Sequence, residues 1–428
     1  MPEALIGLLQ LLVVVGAAHG AGWIAGRLGQ PRVIGEMAAG LLLGPSLLGR
    51  LAPGVSATLF GPQALDGLQA LSQLGLLLFI FLVGLELQPQ QLHQRRRLVL
   101  ALTLSSTLVP FVAGVGVGAA LVPSIGGPQM APWQVALFLG VALSITAFPV
   151  LARILDERGL LRSPLGGLAI VCAAAADVLA WCALAAVVLL VQATAPGASL
   201  WLMLGGGALF VLVMLRLGRP LAARLLRLPR DGVLDNGRLA AIVLALIAAA
   251  ALTEWLGIHA LFGAFLAGTM MPRHPALSHQ IHAKLEGLTT ALLLPLFFAS
   301  VGLRADIGLI QGGPLLLAAG LIVAVAVVGK LSGATLAARA GGMGWRAALG
   351  FGALMNTRGL MELVVAGVGL EIGVLSPAGF TILVLVALVT TCMTGPLLDL
   401  LRITPPPAAA RDDTPLVVPI PAPDRVKS

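Results

Sequence analysis

Apolar runs of about twenty residues recur along nearly the whole chain, and a run of that length has one stable outcome in a bilayer. It becomes a helix, because backbone groups inside hydrocarbon find no hydrogen-bond partners except their own. About thirteen such runs are expected, at roughly 4–26, 33–49, 67–87, 98–122, 132–155, 163–192, 198–217, 237–256, 258–272, 288–303, 314–338, 345–370 and 375–401. The residue content agrees: 58% apolar and 10% charged, with a mean hydropathy of +1.01, far outside the range of soluble domains. The fold class is an all-α polytopic membrane protein. Met1-Pro-Glu-Ala4 has no basic n-region and no small-residue cleavage site follows, so the first run reads as a span and not as a removed signal. The ninth and tenth runs are short, a pattern that marks broken helices near substrate sites in membrane proteins.

Orientation follows from Lys and Arg. With the N-terminus outside, the inward connections hold Arg27, Arg32, Arg95, Arg96, Arg97, Arg158, Arg162, Arg216 and most later basic residues, while the outward ones keep Arg50 and Arg304. That asymmetry favours an outside N-terminus, a cytoplasmic C-terminus and an odd number of spans. The formal net charge of +8 is therefore topological, and no nucleic-acid partner is expected. The expected transmembrane domain, 1–403, divides into a first repeat (1–192), a linker helix (198–217) and a second repeat (237–401), followed by a disordered, Pro-rich cytoplasmic tail at 404–428. Each half carries an interrupted polar segment: Ser144-Ile-Thr-Ala-Phe-Pro-Val-Leu-Ala-Arg153 in the fifth span and Asn356-Thr-Arg-Gly-Leu-Met-Glu362 in the twelfth. Matching interruptions in matching positions are the mark of an inverted repeat.

Five ionisable residues stand within spans: Glu36, Asp177, Lys330, Arg358 and Glu362. Asp177 is the most isolated, the lone carboxylate in the apolar run from Leu165 to Trp181. Charged groups at bilayer depth are costly and mark ion or proton pathways. Thr146 offers a hydroxyl, and Pro149 leaves a backbone carbonyl without its helical donor. Hydroxyl, carbonyl and the Asp177 carboxylate are the oxygen ligands a hard monovalent cation accepts, by extension from hard divalent ions. Lys330 is expected to reach Asp177 directly, since an unpartnered buried ammonium is expensive. Arg358 and Glu362, four apart, are expected to form a structural ion pair; Glu36 is expected to cap or bridge broken backbone in the second span, and His259 to make an ordinary polar contact. Intramembrane proteolysis would need a second aspartate or a Ser/His pair at depth, and neither is evident, so no enzyme is expected. No Cys/His spacing points to a metal site, and no cofactor is expected.

Six segments, in order, resemble the monovalent cation:proton antiporter-2 family, the sodium/proton exchanger domain group that includes plant cation/proton exchangers and bacterial potassium-efflux proteins. They are Gln30-Pro-Arg-Val-Ile-Gly-Glu-Met-Ala-Ala-Gly-Leu-Leu-Leu-Gly-Pro45, Phe81-Leu-Val-Gly-Leu-Glu86, Ile145-Thr-Ala-Phe-Pro-Val-Leu-Ala-Arg153, Gly257-Ile-His-Ala-Leu-Phe-Gly-Ala-Phe-Leu-Ala-Gly268, Pro295-Leu-Phe-Phe-Ala-Ser-Val-Gly-Leu-Arg304 and Met355-Asn-Thr-Arg-Gly-Leu-Met-Glu362. The resemblance implies exchange of Na+ or K+ for protons by alternating access, with an ion site at crossed broken helices. It also implies a homodimer with a moving core, in the lipid bilayer of a bacterial inner membrane. In it Asp177 is the carboxylate shared by cation and proton, with Thr146 beside it, and Lys330 is the core lysine; Pro149, Asn356, Arg358, Glu362 and Glu36 support them. One departure stands out: Ala176 occupies the place where relatives carry a first Asp or Asn of a pair. It opens an alternative, a transport-impaired relative that acts as a sensor or regulatory membrane protein.

Overall fold

The computed structural model describes residues 3–61, 66–86, 96–161, 163–193, 200–225, 234–256, 260–272 and 274–403. His259 and the tail expected over 404–428 lie outside them. The chain begins with α1 (Glu3–Arg27), α2 (Arg32–Leu43), the short α3 (Leu48–Leu51) and α4 (Pro53–Phe60), then α5 (Asp66–Glu86) and α6 (Arg96–Ile125). The fifth expected span is two helices, α7 (Pro132–Ser144) and α8 (Phe148–Glu157), and α9 (Pro164–Ala193) follows. Next, α10 (Leu200–Val213) runs through a π-turn at Met214–Gly218 into α11 (Arg219–Leu225); α12 (Asn236–Trp255) and α13 (Ala260–Thr269) come after. A second π-turn, Thr289–Leu293, joins α14 (Pro275–Leu288) to α15 (Leu294–Arg304), and α16 (Gly313–Ala340) leads to the divided twelfth span, α17 (Trp345–Met355) and α18 (Leu360–Glu371), and to α19 (Pro377–Leu400).

Eight stretches among the described residues are long and apolar enough to cross a membrane alone, with shorter apolar helices between them. The expected short tenth span is corrected: helix begins at Pro275 and continues to Arg304. His279, Gln280, His282, Lys284 and Glu286 lower the hydropathy of α14, but no helix breaker separates Pro275 from Gly287, so the helix outlasts the apolar pattern. The breaks lie in the fifth and twelfth spans.

The chain forms two compact units, each drawing on both halves of the sequence. The first comprises Met1–Ala18, Ala52–Gln88 and Ala185–Ser300. Small residues bring its helices close, as expected where lipid is as apolar as the side chains and packing drives association: Gly84 of α5 lies against Gly268 of α13, and Gly263 of α13 against Ala249 of α12. The hydroxyls of Ser72 and Ser300 bond at 2.9 Å.

The second unit comprises His19–Leu51, Pro89–Leu184 and Val301–Ser428. Here α6 is clasped between α7 and α16: Gly114 faces Gly140, Gly329 faces Pro110, and the Ser105 hydroxyl donates to the Gly333 carbonyl at 2.9 Å. The loop after α6 and the loop after α18 are stapled by an isolated antiparallel bridge between Gly126 and Leu375. Gly127 N–H donates to the Val374 carbonyl at 3.0 Å and Ser376 N–H to the Ile125 carbonyl at 2.9 Å. At other helix ends, Arg158 holds Asp399 through two contacts of 2.5 and 3.1 Å, and Arg346 Nε donates to the Leu401 carbonyl at 2.6 Å.

Candidate ion site

Both interrupted helices belong to the second unit, and their interruptions meet. After Ser144 the chain leaves the helix over Ile145–Ala147, with Ile145 extended, before α8 begins at Phe148. Pro149 therefore stands in the first turn of α8, where a missing N–H costs nothing, and not in a helix interior as the sequence alone implied. The second interruption, Asn356–Gly359, turns at Gly359 with φ of +144°, a region closed to residues with a side chain. A Cβ there would also press on Val150 Cγ2 at 3.0 Å. The breaks bond to each other: Ala147 N–H donates to the Thr357 carbonyl at 3.0 Å, and the Thr146 hydroxyl to the Met355 carbonyl at 3.1 Å.

A helix ending at bilayer depth leaves carbonyls without donors and concentrates partial negative charge there. At the end of α7 two cations meet that need. The Arg358 guanidinium donates to the Ala142 carbonyl at 3.0 Å and to the Leu143 carbonyl at 2.5 Å, and the Lys330 ammonium donates to the Ser144 carbonyl. Arg358 also pairs with Glu362 Oε1 at 3.2 Å, both side chains being fully buried; the expected ion pair forms, and it carries a capping duty besides. On the far side, α19 supplies hydroxyls: Thr391 donates to the Arg358 carbonyl at 2.7 Å, and Thr394 lies 3.2 Å from the Thr357 hydroxyl.

Asp177 sits on α9 and is 3% exposed. Neither carboxylate oxygen makes a hydrogen bond among the described residues. The Phe148 amide at the N-terminus of α8 and the Lys330 charge both act on it, the amide falling short of hydrogen-bond geometry. The expected direct pair of Lys330 with Asp177 is corrected: α16 sets the Lys330 side chain against the end of α7, where it donates to the Ser144 carbonyl and makes no hydrogen bond to either Asp177 oxygen. Asp177 instead borders a small cavity of about 10 Å³ walled by Ile145, Ala180, Trp181, Leu184, Met361 and Val365. A carboxylate buried at bilayer depth is costly to keep ionised, and a nearby positive charge offsets that cost.

The remaining expected residues fall as follows. Asn356 closes α17, fully buried, and neither polar atom of its amide is bonded. Glu36 is buried within α2, its Cγ facing Gly22 of α1. Ala176 is 1% exposed beside Asp177, and the position supplies no ligand. Sequence reasoning missed Ser144, Thr391 and Thr394. The hydroxyl cluster Thr390-Thr391-Cys-Met-Thr394 in an otherwise apolar run was the available signal for the last two; a backbone carbonyl such as that of Ser144 has none.

An all-helical membrane protein with two interrupted helices meeting beside a buried carboxylate is the architecture of a secondary transporter. The family model described as "Sodium/hydrogen exchanger, transmembrane" matches residues 14–401, and the chain belongs to that family. It is 40% identical over 406 residues to the Na(+)/H(+) antiporter NhaS4 of Synechocystis sp., covering 94% of this chain and 98% of that protein. It is 41% identical over 397 residues to Cation/H(+) antiporter 17 of Arabidopsis thaliana, covering 91% of this chain and 47% of that protein. Among solved structures, the sodium proton antiporter MjNhaP1 of Methanocaldococcus jannaschii at pH 8 shares the fold, with a TM-score of 0.63 and 14% identity over 92% of this chain and 96% of that one.

Proposed function

We propose that this protein exchanges a monovalent cation, Na+ or K+, for protons by alternating access, with the Asp177 carboxylate as the site for which the two ions compete. The observation that carries the reading is Asp177 itself, buried at the crossing without a hydrogen bond among the described residues and bordering a small cavity. Its relatives support the ion classes, since NhaS4 is named for Na+ and H+, and the Arabidopsis protein for a cation and H+. Thr146 and the carbonyls of the same break are assigned as the additional oxygens; Lys330, Arg358 and Glu362 hold the crossing in shape, with Pro149 and Asn356 at its breaks and Glu36 on α2.

Competition alone provides coupling. An empty carrier presents an ionised carboxylate to a low-dielectric interior, at a cost of several kcal/mol. A bound proton or a bound monovalent cation removes that cost, so only the two loaded forms cross readily. In this reading the protein is an integral, homodimeric carrier of the bacterial inner membrane, its N-terminus outside, needing no cofactor.

Asp177→Asn tests the assignment in vesicles carrying a pH-sensitive dye. Addition of Na+ or K+ should release protons from vesicles holding the parent and not from those holding the variant, at equal protein abundance. Substantial exchange by the variant would remove Asp177 from the site. No exchange by the parent with any alkali cation would favour instead the transport-impaired reading that Ala176 raises.

A further inference from the structure

Five arginines, Arg216, Arg219, Arg224, Arg227 and Arg230, fall within fifteen residues, and no Asp or Glu occurs between Asp177 and Asp231. The first three lie on the described end of the α10–α11 helix and are exposed. None has an ion pair or hydrogen bond among the described residues, whereas other basic groups of the same unit are tied down: Arg238 to Asp235, and Lys284 to the Leu234 carbonyl at 2.7 Å. Between the free guanidiniums stand Leu215, Leu217 and Leu221, 47, 63 and 55% exposed. Exposed apolar side chains interleaved with cations at one helix end fit the boundary between acyl chains and headgroups.

The π-turn at Met214–Gly218 falls where the basic stretch begins. Such wide turns are rare and concentrate at functional sites. A Cβ at Gly218 would lie 3.2 Å from Met214 Sδ, so the glycine gives the methionine its room inside the turn. Orientation of the chain accounts for arginines on this side of the membrane, but it does not require them to stand together, unpaired, on one helix end.

We propose that Arg216, Arg219 and Arg224 form a binding surface for anionic phospholipid headgroups. A guanidinium grips a phosphate through two parallel N–H donors, and each arginine near an anionic surface favours association by about fivefold, so three give about a hundredfold. The flanking leucines select a lipid over a soluble anion, because they have acyl chains to rest on only when the phosphate belongs to the leaflet. This surface is independent of the ion site.

The test compares full-length protein in nanodiscs of phosphatidylcholine alone, of phosphatidylcholine with phosphatidylglycerol, and of phosphatidylcholine with inorganic phosphate in the buffer. The parent should melt higher with phosphatidylglycerol and retain that lipid in native mass spectrometry after extraction; R216Q/R219Q/R224Q should lose both effects, and R216K/R219K/R224K should keep most of the first. Raising the salt to about 1 M, where the Debye length is about 3 Å, should weaken the parent's preference. Equal melting of the parent in the neutral and anionic discs, or a full effect in the Gln variant, overturns the proposal. Reproduction of the effect by inorganic phosphate overturns the lipid in favour of a soluble anion. If the Gln variant fails to insert, the salt series decides: a preference undiminished at about 1 M excludes the arginine surface.

Discussion

At the scale of single residues, the decisive fact is where Lys330 spends its charge. A pair with Asp177 would make the lysine's contribution to stability vanish whenever a cation occupied the carboxylate. Its bond to the Ser144 carbonyl keeps most of that contribution when an ion occupies the carboxylate. Lys330→Met should therefore destabilise by about 1–3 kcal/mol, the worth of a charged hydrogen bond together with a stranded acceptor, and most of that loss should appear with Na+ or K+ as well as without. Denaturant melts in both conditions check this; a loss that appears only without cation would restore the direct pair. Arg358 and Glu362 separate in the same way. Arg358 holds two α7 carbonyls as well as the carboxylate, while Glu362 serves the arginine alone among the contacts described. Glu362→Gln should cost clearly less stability than Arg358→Met, which strands a buried carboxylate and two carbonyls and should cost about 3–5 kcal/mol or more. Equal costs would mean that the ion pair is the arginine's whole task.

At the scale of elements, the two interrupted helices are tied to each other in three places: at their breaks, at the α7 end through Arg358, and at the loops joined by the Gly126–Leu375 bridge. Such a network moves together or not at all. Amide hydrogen exchange is the direct measure: Gly127 and Ser376, whose N–H groups cross between the loops, should exchange as slowly with saturating cation as without it. Faster exchange in one condition would show that the loops part during the cycle. Much of this arrangement was legible in the chain. Asp177 is conspicuous because nothing polar surrounds it, and Phe148-Pro149 and Arg358-Gly359 mark the breaks because proline and glycine limit where a helix can run. The partner of Lys330 was not legible, since every residue has a carbonyl and only the meeting of α16 with the α7 end selects that of Ser144. The length of the α14–α15 helix was hidden for a different reason: polarity ends a hydropathy run without ending a helix.

At the scale of the whole molecule, the succession of apolar runs fixed the class and the motif order fixed the family, while the division into two units could not be foreseen, because each unit gathers segments from both halves of the chain. The unit that holds the crossing contains Asp177, Lys330, Arg358 and Glu362 together. This sets the electrical character of exchange in the proposed cycle. In this reading Lys330 and the Arg358–Glu362 pair keep one charge state through the cycle, bound within their own unit, and Asp177 is the carboxylate that changes, since Ala176 contributes none. It is neutralised by one proton on one passage and by one monovalent cation on the other, and the net charge moved in a full turn is zero. Initial rates of cation-driven proton release in vesicles should therefore be unaffected by a potassium-diffusion potential of either sign, measured with Na+ as the exchanged ion. A transported elementary charge would be worth about 2.3 kcal/mol per 100 mV, large enough to appear at once in such an assay. A rate that follows the imposed potential would require a second proton carrier, and Lys330 would have to leave the Ser144 carbonyl to be that carrier.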